Sequence, residues 1–241
     1  LQHLRYKKLV IFSDQDPDGA HIAALILNFL HHLFPSVLRL DPNFVQRFVT
    51  PIVRVTPKAQ TRDTEHKFYA IQAFEEWVQT NSIDVSRYTT KYYKGLGTST
   101  SAEARDYFKK IQDLTVKFDM DIMTDKSIVL AFDKKKADDR KYWLLESTAK
   151  DPKELEVPYG HVKNLSISNF VHKDLVNFSL ADLKRSIAHM ADGLKPSHRK
   201  VMYACFHKNL KDEMKVAQLA AFVAEKSAYH HGEVSLADTI V

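Results

Sequence analysis

A short apolar run followed by three alternate aspartates sets the strongest limit on how this chain can fold. From Leu9 the sequence reads LVIFSDQDPDG, with Asp14, Asp16 and Asp18 at every second position. Leu9 to Phe12 are branched, aromatic and few, which predicts a buried strand. After Gly19, the apolar residues Ile22, Ile26, Phe29, Leu30 and Leu33 recur at helical spacing until Pro35 stops the run. The unit is strand, acidic turn, helix, with the carboxylates at the C-terminal end of the strand, the edge where open α/β sheets bind ligands. Three like charges this close repel one another, and a cation among them relieves the repulsion.

Two metal chemistries compete for that turn. Asp-x-Asp-x-Asp-Gly opens a calcium EF-hand loop, but such a loop needs a bidentate Glu at its twelfth position and a helix on either side. The twelfth position is Leu25 and the preceding flank is strand-like, so the calcium reading fails. Mg²⁺ takes one or two carboxylates plus water and phosphate oxygens, which suits this edge. A solvated turn rich in aspartate is the plainer reading, though two aspartates suffice for that. A haloacid-dehalogenase type phosphatase also begins with a strand and an Asp-x-Asp pair.

The chain of 241 residues, 44% hydrophobic, is long enough for one large domain or two smaller ones. A net charge of +5 suits a polyanion partner without demanding one. The single cysteine, Cys205, excludes an internal disulfide framework and a cysteine-rich zinc site. No apolar run is long enough to span a bilayer and no signal peptide is visible. Leu1 begins inside a running pattern and the chain stops at ADTIV, so a fragment is expected.

Strands are expected over Phe48–Thr56, His66–Gln72 and the YTTKYY stretch, with a short helix in AFEEWVQT between the last two. KGLG reads as a turn, and Thr100 with Glu103 as a capping box opening a helix. Mixed strands and helices predict an α/β domain over residues 1–145. Residues 146–165, polar and carrying Pro152 and Pro158, read as a linker. Residues 166–241 turn mainly α, ending in a helix-turn-helix outline around AYHHGE. Cys205 is expected in the core beside Met202 and Phe206.

In DGLKPSHRK, Gly193 closes one segment, Pro196 suits the first helical turn, and Lys195, His198, Arg199 and Lys200 crowd the helix start. Cations at a helix N-terminus suit a phosphate, and a solvated helix start is an even alternative. His230 and His231, being adjacent, point different ways and suit phosphate contacts better than one metal ion.

Taken in order, SDQDPDGAHI, YYKGLGTSTSAEA, LAFDKKKADDRKYW, DGLKPSHRKVMYACF and KVAQLAAFVAEKSAYHHGE resemble consecutive signatures of the eukaryotic-type DNA topoisomerase II (type IIA) family. Other Toprim proteins, such as primases and single-strand-cutting topoisomerases, lack the last two blocks. The resemblance implies a Toprim-type metal-binding α/β domain, then the start of a winged-helix DNA-cleavage domain. It implies ATP-dependent cutting of both strands of a duplex through a tyrosyl-phosphate link, passage of a second duplex, and resealing. Asp14 and Asp16 would be ligands of a two-metal Mg²⁺ site, for which Mn²⁺ or Ca²⁺ can substitute in binding, and Asp18 would support it. Arg199 would meet the scissile phosphate, and Lys94, Lys195, His198, Lys200, His230 and His231 would contact DNA. The family's catalytic Glu would lie before Leu1, its tyrosine beyond Val241, and its ATP site in another domain, so the fragment alone is expected to be inactive. A homodimer and a nuclear location follow from the same resemblance, a mitochondrial or viral enzyme being the alternative. The rival from another class is a non-cutting Toprim/winged-helix clamp on DNA.

Overall fold

The computed structural model describes residues 4–58, 64–93, 95, 97, 99–229 and 232–241. The chain divides into two compact units, Leu1–Ser179 and Leu180–Val241.

The first unit opens with β1 (Leu9–Phe12) and α1 (Pro17–Leu33), the predicted strand and helix. The buried face of α1 is Ala20, Ala23, Ala24, Leu27 and Leu30, whereas Ile22, Phe29 and Leu33 are exposed. This departs from the expected apolar stripe. Small side chains let a helix approach its neighbours closely, and close packing decides which face turns inward. Pro35 ends α1 and also opens α2 (Pro35–Leu40), where its missing N–H costs nothing.

Residues 48–56 are not one strand. β2 (Val45–Phe48) and β3 (Val53–Pro57) lie in different sheets, with Pro51 between them. Proline cannot donate to a ladder, so the chain changes sheets there. β4 (His66–Phe68) stops short of the expected end, because Ile71 already starts α3 (Ile71–Thr80). β5 (Tyr88–Tyr92) and α4 (Ser101–Lys109) follow, and Thr100 and Glu103 form the predicted capping box. β6 (Thr115–Asp119), α5 (Thr124–Phe132) and α6 (Ala137–Thr148) complete the unit's middle.

One sheet has the order β1-β2-β6-β7, where β7 is Asn164–Ser166. Its β1/β2 and β6/β7 pairs are parallel and β2/β6 is antiparallel. The other sheet, β4-β3-β5, is antiparallel, and Val53, Val55 and Phe74 make its core. Residues 146–165 differ from the expected linker: β7 extends the first sheet, and Leu155, Val157 and Tyr159 are buried. Buried alternate side chains tie that segment into the first unit despite its polar composition. After β7 come α7 (Ile167–Phe170), a π-helical turn at Val171–Leu175, and α8 (Val176–Ser186).

In the second unit, α9 (Pro196–Lys208), α10 (Val216–Ser227) and α11 (Glu233–Ile240) surround Ala204, Leu219, Ala220, Val223 and Leu236. The buried face of α9 runs through Ala204, with Val201 and Cys205 beside it. Met202 and Phe206 are exposed, so Cys205 packs on the core without them. The helix-turn-helix outline is present as α10 and α11.

Candidate metal and nucleic-acid site

The acidic turn is fixed by backbone geometry before any ligand enters. Asp16 caps α1: the Gly19 N–H donates to its Oδ1 at 2.7 Å. Asp18 lies in the first helical turn, where the helix dipole favours negative charge. Gly19 packs so tightly that an added Cβ would sit 2.0 Å from the carbonyl oxygen of Asp14. The buried Ser13 hydroxyl donates to the Gly19 carbonyl at 3.1 Å, closing the turn on itself.

Gly95 approaches the same place from far along the sequence. A Cβ on Gly95 would lie 2.6 Å from Asp14 Oδ2 and 2.8 Å from its Cγ, so any residue larger than glycine would push that carboxylate from its place. The loop's ends are anchored by Glu103. Lys91 Nζ donates to its two oxygens at 3.0 and 2.8 Å, Tyr93 Oη at 2.6 Å and Arg54 at 3.2 Å, while the Thr100 N–H donates at 2.7 Å. Burial would push the Glu103 carboxyl up, but these bonds from Lys91, Tyr93 and Thr100 outweigh it and hold it at about 2. The Tyr93 hydroxyl is pushed up, by burial first and by its bond to Glu103 second.

Under the acidic turn lies a buried ionic group that the sequence reading missed. Arg47 of β2 is 1% exposed. Its Nη1 donates to Asp174 at 2.8 Å and to the Tyr159 hydroxyl at 3.1 Å, and its Nη2 to the Asp14 carbonyl at 3.4 Å. Tyr159 also donates to Asp174. Burial raises the Asp174 carboxyl against the pull of Arg47. A cavity of about 640 Å³, lined by Gln15, Asp16, Tyr69, Tyr93, Glu156 and others, opens beside this group. An arginine set among apolar Val45, Phe48 and Val49 in the stretch NFVQRFV was the available signal for Arg47; nothing nearby marked its partner Asp174.

Asp14 and Asp16 suit a hard cation, which takes one or two carboxylates and completes its shell with water and phosphate oxygens. Asp14 is half-buried, and Asp16 keeps Oδ2 clear of its capping bond. Among the described residues, no group of three or more His, Cys, Asp or Glu converges as a metal cluster.

In the second unit, Lys195 is the exposed N-cap of α9, and its N–H donates to His198 Nδ1 at 3.2 Å. Arg199 pairs with Asp192 at 2.6 Å. Backbone donation from Leu194, then Arg199, holds the Asp192 carboxyl below its usual range. Lys200 turns inward, its Nζ donating to the Ser227 carbonyl at 2.9 Å and the Ala228 carbonyl at 3.4 Å. It thereby caps α10, whose Ala228 has a left-handed φ of 48°. Lys94, His230 and His231 lie outside the described residues.

The family described as the C-terminal associated domain of TOPRIM matches residues 48–183, more than half of the sequence. The chain belongs to that family. Residues 185–241 match the family described as the A subunit of DNA gyrase/topoisomerase IV, so the two matches meet close to the division between the compact units. The TOPRIM-associated match begins after the Asp14–Asp18 turn. DNA topoisomerase 2 of Drosophila melanogaster is 47% identical across all of this chain, which covers 17% of that relative. Human DNA topoisomerase 2-alpha is 46% identical, again across the whole chain and 16% of the relative. A crystal structure of the Plasmodium falciparum topoisomerase II DNA-binding, cleavage and re-ligation domain superposes with a TM-score of 0.79 and 42% identity. That comparison covers 99% of this chain and 31% of the other. The resemblance to topoisomerase II therefore holds along the whole TOPRIM-associated chain, which spans about a sixth of the curated relatives' length. No helix among its described residues is long and apolar enough to cross a membrane.

Proposed function

We propose that this chain is the metal-binding and DNA-gripping part of a type II DNA topoisomerase that cuts both strands of a duplex, passes another and reseals the cut. The observation that carries the reading is the meeting of Asp14 with Gly95, which brings two of the resemblance-bearing motifs together at the C-terminal edge of β1. In this reading Asp14 and Asp16 hold Mg²⁺, which when bound supplies charge stabilisation at the attacking and leaving oxygens of the phosphate. Asp18 adds negative potential to the same turn. Arg199 contacts the scissile phosphate and offsets the charge that builds there. Lys195 and His198 contact the backbone at the start of α9, where helix N–H groups favour an anion. Lys94, His230 and His231 keep the same proposed role. Lys200 serves DNA indirectly, by capping α10. Duplex DNA is the substrate, ATP drives the cycle from another domain, and the working form is a homodimer in the nucleus.

The test is decatenation of linked DNA circles by a full-length protein carrying this chain, with Mg²⁺ and ATP, beside its Asp14→Ala variant. Unlinking by the parent and loss in the variant supports the reading. A parent that binds DNA yet never unlinks the circles moves the non-cutting clamp ahead.

A further inference from the structure

We propose that Arg47 is a positioning residue for Asp14, and that Asp174 and Tyr159 hold Arg47 to that task. The inference deepens the metal-site reading and rests on it. Arg47 is among the largest fully buried side chains, in a strand whose four residues are all buried. A buried charge costs several kcal/mol unless it is well paired, and replacing a buried ion pair with packed apolar groups is often neutral or stabilising, by about 1–4 kcal/mol. Stability alone gives this strand no reason to carry an arginine.

Its geometry supplies one. The guanidinium fork spans two features: Asp174 and Tyr159 on one nitrogen, the Asp14 carbonyl on the other. The Tyr159 ring also lies under the guanidinium, 5.6 Å from the charge centre. The Asp14 peptide is thus held by Arg47, and Gly19 closes against the same carbonyl oxygen, while Gly95 limits the carboxylate itself. Asp174 comes from the π-helical turn at Val171–Leu175, and such turns place an extra residue inside a helix, frequently at functional sites. A lysine at position 47 could satisfy Asp174 but has no planar fork with which to reach the Asp14 carbonyl as well.

The experiment titrates Mn²⁺ as the probe, by electron paramagnetic resonance, into full-length protein carrying this chain. Wild type is compared with Arg47→Lys, Tyr159→Phe and the double variant Arg47→Met/Asp174→Leu, each checked for Tm. The expected result is about a tenfold weaker Mn²⁺ affinity for Arg47→Lys and the double variant, the size typical when a group supporting a ligand is removed. The double variant keeps its Tm within a few degrees, and Arg47→Lys carries the test should it fail to fold. A merely structural Arg47 would move Tm and leave Mn²⁺ affinity alone, which overturns the proposal. Wild type that binds no Mn²⁺ overturns the metal-site reading and this inference with it. Wild type that binds while folded variants bind equally well overturns the inference alone.

Discussion

Replacing Gly95 with alanine should separate activity from stability. The added methyl would start 2.6–2.9 Å from three atoms of the Asp14 carboxylate, where ordinary contact begins at 3.4 Å. The carboxylate must retreat by about 0.8 Å, since van der Waals repulsion rises steeply inside contact distance. What moves is the end of a short side chain, and a χ angle pushed about 30° off its rotamer costs about 0.5–1.5 kcal/mol. Folding should therefore lose about 1.5 kcal/mol at most, whereas a misplacement near 1 Å in a catalytic constellation costs about 10²-fold in rate. Gly97, two residues on, has nothing among the described residues within 4 Å of an added Cβ and serves as the internal control. The assay is the decatenation rate at saturating Mg²⁺ and ATP, with Tm measured on the same preparations. Gly95→Ala should fall about 100-fold with little change in Tm, and Gly97→Ala should match wild type. If Gly95→Ala unlinks at the parental rate, or both variants lose activity alike, the close approach to Asp14 does not shape the site.

Other perturbations separate the remaining parts. Gly19→Ala drives its methyl into the Asp14 backbone at 2.0 Å and should destabilise by about 2–3 kcal/mol, read by chemical denaturation. Glu103 has a depressed folded-state pKa, so the stability it contributes is complete above about 4.5 and lost as pH falls toward about 2. Thermal melts across that window should slope more steeply for wild type than for Glu103→Gln. Lys200→Met removes a charged cap from the α10 carbonyls and should cost about 1–2 kcal/mol, seen as a lower Tm rather than as a selective loss of DNA affinity. Arg199→Ala should leave the Tm unchanged and slow cleavage by about 10²–10³-fold in a single-turnover assay.

Local signals in the sequence located the elements nearest the site. The β1 run, the acidic turn and the start of α1 follow from residues adjacent in the chain, and the Thr100–Glu103 box is a four-residue pattern. Which face of α1 is buried was not legible, because periodicity registers large apolar residues and passes over Ala20, Ala23 and Ala24. The polar look of residues 146–165 concealed β7 and the buried Leu155, Val157 and Tyr159. β6 alternates buried Val116 and Phe118 with the more open Lys117, a short period easily lost between helices. The Arg47–Asp174 pair joins residues 127 apart, and no single-sequence pattern carries a separation of that size. The Asp14–Gly95 approach is of the same kind: each motif was visible, but not that they meet.

The Asp192–Arg199 pair changes what a salt titration of DNA binding would measure. A phosphate arriving at Arg199 meets an exposed guanidinium already balanced by a carboxylate 2.6 Å away. To bind there, DNA must evict an intramolecular anion, and the freed Asp192 then gathers mobile cations of its own. Each phosphate neutralised normally contributes about 0.9 to the slope of log affinity against log salt, through the ions it releases. On the proposed reading, ions drawn to the freed Asp192 offset part of that release, so Arg199 would add less than a full phosphate's share to the slope. Restoring its full contribution would take only the removal of one negative charge on the protein.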